Sequence, residues 1–256
     1  MADDRLLFDY LLRLADSDLI LAQRLGAWIG HGPVLEEDIA SANVGLDLLG
    51  QARLWYAYAG EVESRFAARG RGEDELAFLR DSDDYRNLLL VEQPNGDYAH
   101  TLARQFLFDA WHQLLLAALS GSADARVAEI AAKAEKEARY HVERSADWVI
   151  RLGDGTDQSH RRMQAAIDDL WMYTGEMAEA DATVVALVAA GIAADPAALG
   201  PAWRGRVEEV LGEASLTLPA STWMQSGGSS GRHSEHLSHL LAEMQVLQRN
   251  HPGARW

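Results

Sequence analysis

The residues with chemistry to offer fall on helical stripes. With a period of 3.6 residues, Leu12, Asp16, Leu19, Gln23 and Gly26 share one helix face, and Ala40, Asn43, Asp47, Gly50 and Leu54 share a second. Leu102, Gln105, Asp109, His112 and Leu116 make a third, and Ile130, Ala134, Glu137, His141 and Trp148 a fourth. Each stripe is apolar at its ends and polar near its middle. A single carboxylate in such a place is normally a boundary residue or one half of an ion pair. Four stripes carrying one at similar depth describe a layer, and the layer matches the plan of a carboxylate-bridged di-metal bundle. In that plan two helices each give one Glu and two others each give Glu-x-x-His, all directed inward. The i, i+3 spacing sets carboxylate and imidazole on one face, so both reach the same metal pair.

The set Asp16, Asp47, Asp109, His112, Glu137 and His141 departs from that plan in identifiable places. Gly50 stands three residues after Asp47, so that helix brings no imidazole. Ala138 stands three residues before His141, with Glu137 one position out of step. The three aspartates are a methylene shorter than Glu, and only Asp109-x-x-His112 keeps the spacing. Two readings stand. One is a relict layer held by hydrogen bonds and ion pairs, with Arg104, Lys136 and Arg139 as counterions, since a buried polar network is tolerable only when satisfied. The other is a reduced metal site, which would make the chain an oxygenase in its own right through the same six residues. The broken ligand set favours the first, with no catalytic residue, no cofactor and no metal in this chain.

Positioning such a layer takes long helices, and the sequence provides them. Helical periodicity runs over 6–28 and stops at His31-Gly32-Pro33. It restarts over 33–63 with Glu36, Glu37 and Asp38 in the first turn, where the helix dipole favours acids. A loop is expected over 66–81 and a short helix over 83–91. Long helices follow over 97–120 and 125–152, then shorter ones over 159–180, 182–193, 201–214 and 232–250. The only β-like stretch is 216–218. The expectation is an all-α chain: one domain over 1–256, with a core four-helix bundle at about 6–152 and accessory helices at about 159–250.

Composition narrows the function. Thirty-nine acids face twenty-three bases for a net charge of −16, and the only lysines are Lys133 and Lys136. Such a surface repels phosphates, which excludes nucleic acid and anionic lipid as partners. Zero cysteines exclude a disulfide framework, a zinc–thiolate site, an iron–sulfur cluster and a thiol nucleophile. The longest apolar stretches, 114–119 and 183–194, fall short of the ~18 residues that a membrane helix needs. The start Met1-Ala2-Asp3-Asp4-Arg5 is too acidic for a signal or transit peptide, so a cytoplasmic, soluble protein without a membrane partner is expected. His233, His236 and His239 look like a metal string, but their helical spacing prevents three imidazoles from sharing a face. The run Gln225 to Gly231, all glycine and serine after its first residue, reads as a mobile linker. Trp28, Trp55, Trp111, Trp148 and Trp171 read as core or interface anchors.

Longer ordered strings are more specific than any spacing. Leu46-Asp47-Leu48-Leu49-Gly50-Gln51-Ala52-Arg53, the run NLLLVEQPNG from Asn87 to Gly96, Lys136-Glu137-Ala138-Arg139-Tyr140-His141 and Leu241-Ala242-Glu243-Met244-Gln245 resemble signature stretches of the C-type subunits of ring-1,2-phenylacetyl-CoA epoxidases. The resemblance covers essentially the whole chain, including the turn at 151–157 and the Pro-Gly-x-x-Trp end. It implies a ferritin-like fold and a multicomponent oxygenase. In that complex an A-type subunit would hold the di-iron centre and bind phenylacetyl-CoA, a reductase would deliver electrons from NADPH, and O2 would epoxidise the ring. The C-type subunit would be its structural, non-catalytic partner in a heterotetramer or larger assembly, and a homodimer when alone. Trp28, Trp55, Tyr56, Tyr58, Arg24 and Arg53 are more anchors than one bundle core absorbs, so the first three long helices are expected to supply the face that meets the catalytic subunit.

Overall fold

The computed structural model describes residues 3–254. Its helices are α1 (Asp4–Gly26), α2 (Leu35–Glu63), α3 (Glu73–Phe78), α4 (Leu89–Glu92), α5 (Tyr98–Leu119), α6 (Ala125–Gly153), α7 (Asp157–Trp171), α8 (Ala182–Ala189), α9 (Pro196–Glu213), α10 (Glu235–Met244) and α11 (Val246–Asn250). No strand forms among the described residues, and the fold is all-α and ferritin-like, as the sequence predicts. Aspartates begin several of these helices. Asp97 caps α5 through the His100 N–H, Asp124 caps α6 through Arg126 and Val127, and Asp181 caps α8 through Val184.

The chain divides into two compact units, Met1–Gln93 with Gly227–Trp256, and Pro94–Ser226. In the first, α1 and α2 pack along their length, burying Leu11, Ile20 and Leu25 from α1 with Leu48, Trp55 and Val62 from α2. In the second, α5 packs on α6 and carries α7 and α9. There the Trp171 and Trp203 rings stack at 5.7 Å, and Trp203 Nε1 donates to the Leu107 carbonyl at 3.1 Å. No helix among the described residues is long and apolar enough to cross a membrane.

The structure differs from the sequence reading in three places. The stretch 66–81 is not all loop: Glu75 caps the Gly72 N–H at 3.0 Å and starts α3. The expected helix over 83–91 shrinks to a 3-10 turn and the four residues of α4. Asp16 and the Ser17 hydroxyl take the N–H groups of Arg86 (2.8 Å) and Leu88 (3.2 Å), which a helix would have used itself. The helix placed over 201–214 begins at Pro196 instead, capped by Asp195, with Pro201 carried inside it. The glycine-rich run is likewise a packed turn rather than a mobile linker. A Cβ on buried Gly228 would collide with the Asn87 carbonyl, and Gly231 adopts φ +77°, which favours glycine.

Candidate functional site

In the first unit the polar centre is Asp16, fully buried on α1. Arg80, itself 3% exposed, gives Nη1 to Oδ2 at 3.0 Å and Nη2 to Oδ1. The Tyr56 hydroxyl donates to Oδ1, and the Arg86 N–H donates to Oδ2. Arg80 spends its other donors on the carbonyls of Leu76 (2.6 Å) and Asp84 (2.9 Å) and lies 4.3 Å over the Tyr85 ring. Burial works against the guanidinium charge, but Asp16 outweighs it and holds Arg80 above its ordinary value. Burial, then the Asp16 charge, holds the Tyr56 hydroxyl well above the phenol range. The pair is neutral as a whole, and the carboxylate is enclosed by donors. A metal ion at Asp16 would have to displace a guanidinium.

A second centre in the same unit surrounds Glu92, fully buried at the end of α4. Its Oε2 accepts from Asn87 Nδ2 at 2.9 Å and lies 2.8 Å from His233 Nδ1, while Oε1 accepts the Ser234 N–H at 2.7 Å. His233 Nε2 lies 3.0 Å from the Tyr85 carbonyl. The Tyr85 carbonyl can only accept, so Nε2 carries a proton, and the Glu92 carboxyl beside Nδ1 favours a second one there. Burial opposes that charge, but the hydrogen bond and charge of Glu92, with the Tyr85 carbonyl, raise the His233 pKa above its ordinary value. This centre ties the start of α10 to the segment before α4. Sequence reasoning missed it, although a lone Glu at the end of the apolar run 88–91 is a signal that a buried partner must exist.

In the second unit the centre is Asp109, fully buried on α5. Gln105 Nε2 donates to Oδ1 at 2.7 Å and Ser145 Oγ to Oδ2 at 2.9 Å. Desolvation pushes the carboxyl up to about 6, against the opposing pull of His141, Ser145, Gln105 and Arg144. His112 is buried with its ring 4.8 Å from that of Phe108. Burial, then the neighbouring His141, lowers the His112 pKa to about 3, so it is neutral at neutral pH.

Of the six predicted layer residues, Asp16, Asp109, His112 and His141 are buried, while Asp47 and Glu137 are only half-buried. The α2 stripe is therefore misassigned, and on the α6 stripe Glu137 stands off the buried line of Ile130, Ala134 and His141. The inward face of α2 is Val44, Leu48, Gln51 and Trp55, and on the stripe with Asp47 both Asn43 and Gly50 are exposed. On α6 the inward face is Ala131, Ala134, Ala138, His141 and Ser145, which leaves Glu137 on the flank. The expected counterions are corrected as well. Arg139 pairs with Glu135 at 2.8 Å on the surface, Lys136 is exposed, and buried Arg104 donates to Asn95 Oδ1 at 2.6 Å. Arg80 is the counterion of Asp16. Of the expected anchors, Trp55, Tyr56 and Tyr58 are buried. Arg24 holds the Glu92 carbonyl at 3.1 Å, and Arg53 pairs with Glu73 at 2.9 Å. Among the described residues no three His, Asp or Glu side chains come together as a group that could hold a metal ion.

The model of a family described as phenylacetic acid catabolic protein matches residues 1–256. The chain belongs to the phenylacetic acid catabolic protein family. It is 52% identical to the C-type subunit of the 1,2-phenylacetyl-CoA epoxidase of Escherichia coli (strain K12) over 248 residues, 96% of this chain and 98% of that relative. The resemblance read from the sequence strings is thus borne out. Two of those strings have visible structural uses in this chain. Asn87 and Glu92 build the second polar centre, and Gln245 donates to the Arg80 carbonyl at 3.0 Å and the Tyr85 hydroxyl at 3.2 Å, bracing the first.

Proposed function

We propose that the chain is the structural, non-catalytic subunit of a cytoplasmic phenylacetyl-CoA epoxidase that serves aerobic phenylacetate degradation. It pairs with the catalytic subunit that carries the di-iron centre and binds the acyl-CoA, in a heterotetramer or larger assembly. The observation that carries this reading is the Arg80 guanidinium seated on Asp16. A di-iron pair needs carboxylates free to face two cations, and this one already holds a cation whose charge it neutralises. Gly50 and Ala138 stand where the plan needs ligands, and Asp47 and Glu137 do not reach the buried face. The donor set present does not fit a metal pair. The identity of the relative as one subunit of an epoxidase supports the pairing. The net charge of −16 supports placing the CoA phosphates on the other subunit.

The test is turnover per assembled complex. With the catalytic subunit, Asp47→Ala and His141→Ala are expected to assemble and to keep turnover close to wild type. A loss on the order of 100-fold with assembly intact, the size expected when a metal site is disabled, would instead make this chain an oxygenase in its own right.

A further inference from the structure

The two longest apolar stretches of the sequence, 114–119 and 183–194, are only partly spent on the core. The turns that follow them are tied together in the second unit, where the Ala123 N–H donates to the Gly191 carbonyl and Ser122 Oγ to the Ile192 carbonyl, both at 2.8 Å. Inward, α8 buries Val184 and Leu187. Outward it presents Ala182, Val185, Ala186 and Ala189, with Val185 57% exposed. The last turn of α5 adds exposed Ala117 and Ala118. No charged residue occurs over 113–123 or 182–194, in a chain that is 24% charged. Outward alanines suit a helix by themselves, but valine is a poor helix former, so propensity does not account for Val185. A helix that is apolar on both sides has to be covered on both sides.

We propose that this uncharged patch is where the chain meets the catalytic subunit, through a face of that subunit that is apolar at its centre and rimmed with Arg or Lys. The proposal rests on the pairing argued above. Charge selects the occupant. Glu179 and Asp181 stand exposed before α8 and Asp195 after it, and no Lys, Arg or His occurs over 163–203. A second copy of the chain would set the same acids against them, and anionic lipid is repelled for the same reason. The helix also lacks the Lys and Arg face with which amphipathic helices lie on membranes. A subunit that holds the CoA phosphates needs cationic groups, and so has the sign that this acidic rim attracts. An apolar centre inside a charged rim is the arrangement in which a few central side chains carry most of the affinity. Val185 is the largest outward side chain of α8 and takes that part.

Titration of the full chain against the separately purified catalytic subunit, at several salt concentrations, tests this. The wild-type complex is expected to weaken as salt is added, because the rim charges attract. Val185→Glu, which changes an exposed position, is expected to raise Kd at least about tenfold while keeping the wild-type circular dichroism, and Val185→Ala to raise it less. Glu179→Lys, at the rim, should slow association and flatten the salt dependence. A Val185→Glu chain that binds as the wild type does overturns the proposal and leaves the pairing standing. A wild type that does not bind refutes the pairing itself, and the proposal with it. Self-association of the chain that Val185→Glu disperses would give the patch to a second copy. Binding to phosphatidylglycerol vesicles that Val185→Glu abolishes would give it to a membrane. Either result overturns the proposal.

Discussion

Asp16 and Asp109 occupy equivalent situations in the two units. Each is a fully buried aspartate on a long helix, and each takes a hydroxyl donor, from Tyr56 in one case and Ser145 in the other. What stands across from them differs. Asp16 faces a guanidinium stacked on Tyr85 and anchored by two carbonyls, an ion pair that is neutral as a whole. Asp109 faces an amide and a hydroxyl, and burial pushes its carboxyl up to about 6. The same residue in the same kind of place thus faces a cation in one unit and only neutral hydrogen-bond donors in the other. Neither arrangement presents an open carboxylate to a metal pair, and each departs from that task by a different route.

The sharpest way to break this contrast is to remove the guanidinium. Arg80→Met leaves Asp16 buried without its cation, at an expected cost of ~3–5 kcal/mol. For a chain of this size that lowers the melting temperature by roughly 10 °C. Adding Asp16→Leu should recover part of the loss, because the buried charge is gone while the Leu76 and Asp84 carbonyls still lack their donor. Melting of Arg80→Met at the wild-type temperature would show that Asp16 has no need of its partner.

The His233–Glu92 tie should respond to pH in the opposite sense to a carboxylate. His233 is held above its ordinary pKa, so its stabilisation is complete below the unfolded value near 6.5. It is lost as pH rises through the higher folded value. Hydrogen exchange across α10, corrected for the intrinsic pH dependence, is expected to speed up over that rise. His233→Ala should show fast exchange at every pH. An α10 protected equally at both ends of the range would contradict the imidazolium.

Asp109→Asn is expected to act more weakly and upward. The folded carboxyl titrates near 6 against an unfolded value near 3.8, so the folded state holds the proton more tightly. Its contribution is most favourable below about pH 4 and is lost as pH rises through about 6, leaving a cost of at most ~3 kcal/mol above that. The amide removes that cost. Gln105, whose Oε1 is buried without a partner, can turn over and accept from it. Melting curves at pH 7.5 should place Asp109→Asn at or above wild type, and a clear drop would show that the charged form is the favoured one. The smallest effect belongs to Glu137→Ala. Glu137 is half-buried on the flank of α6, so a change within about 0.5 kcal/mol is expected, and a large fall would return it to the core.

The four long helices were legible because each carries many turns of apolar periodicity, bounded by residues such as Pro33 and Gly121. The burial of Asp109 and His112 needed no choice of side, since every residue of α5 from Thr101 to His112 is buried. The stripe containing Asp47 was not legible. With Leu46 and Leu49 on one side of α2 and Leu48 and Val44 on the other, the sequence offers two apolar faces and no local reason to choose between them. Arg80 was invisible for another reason. It lies outside any periodic segment, 64 residues from Asp16, and only the path of the chain after α3 brings the two together. The extended stretch at 86–88 escaped likewise, because its backbone partners Asp16 and Ser17 sit on a different helix.

The central claim is that the polar centres of this chain hold its own structure together rather than a metal pair. Iron analysis of the complex co-purified with the catalytic subunit, set against the measured subunit ratio, tests it most directly. We expect two irons for each catalytic subunit and a stoichiometry that does not change when this chain carries His141→Ala and Asp109→Asn. Two further irons for each copy of this chain, lost on those substitutions, would contradict it.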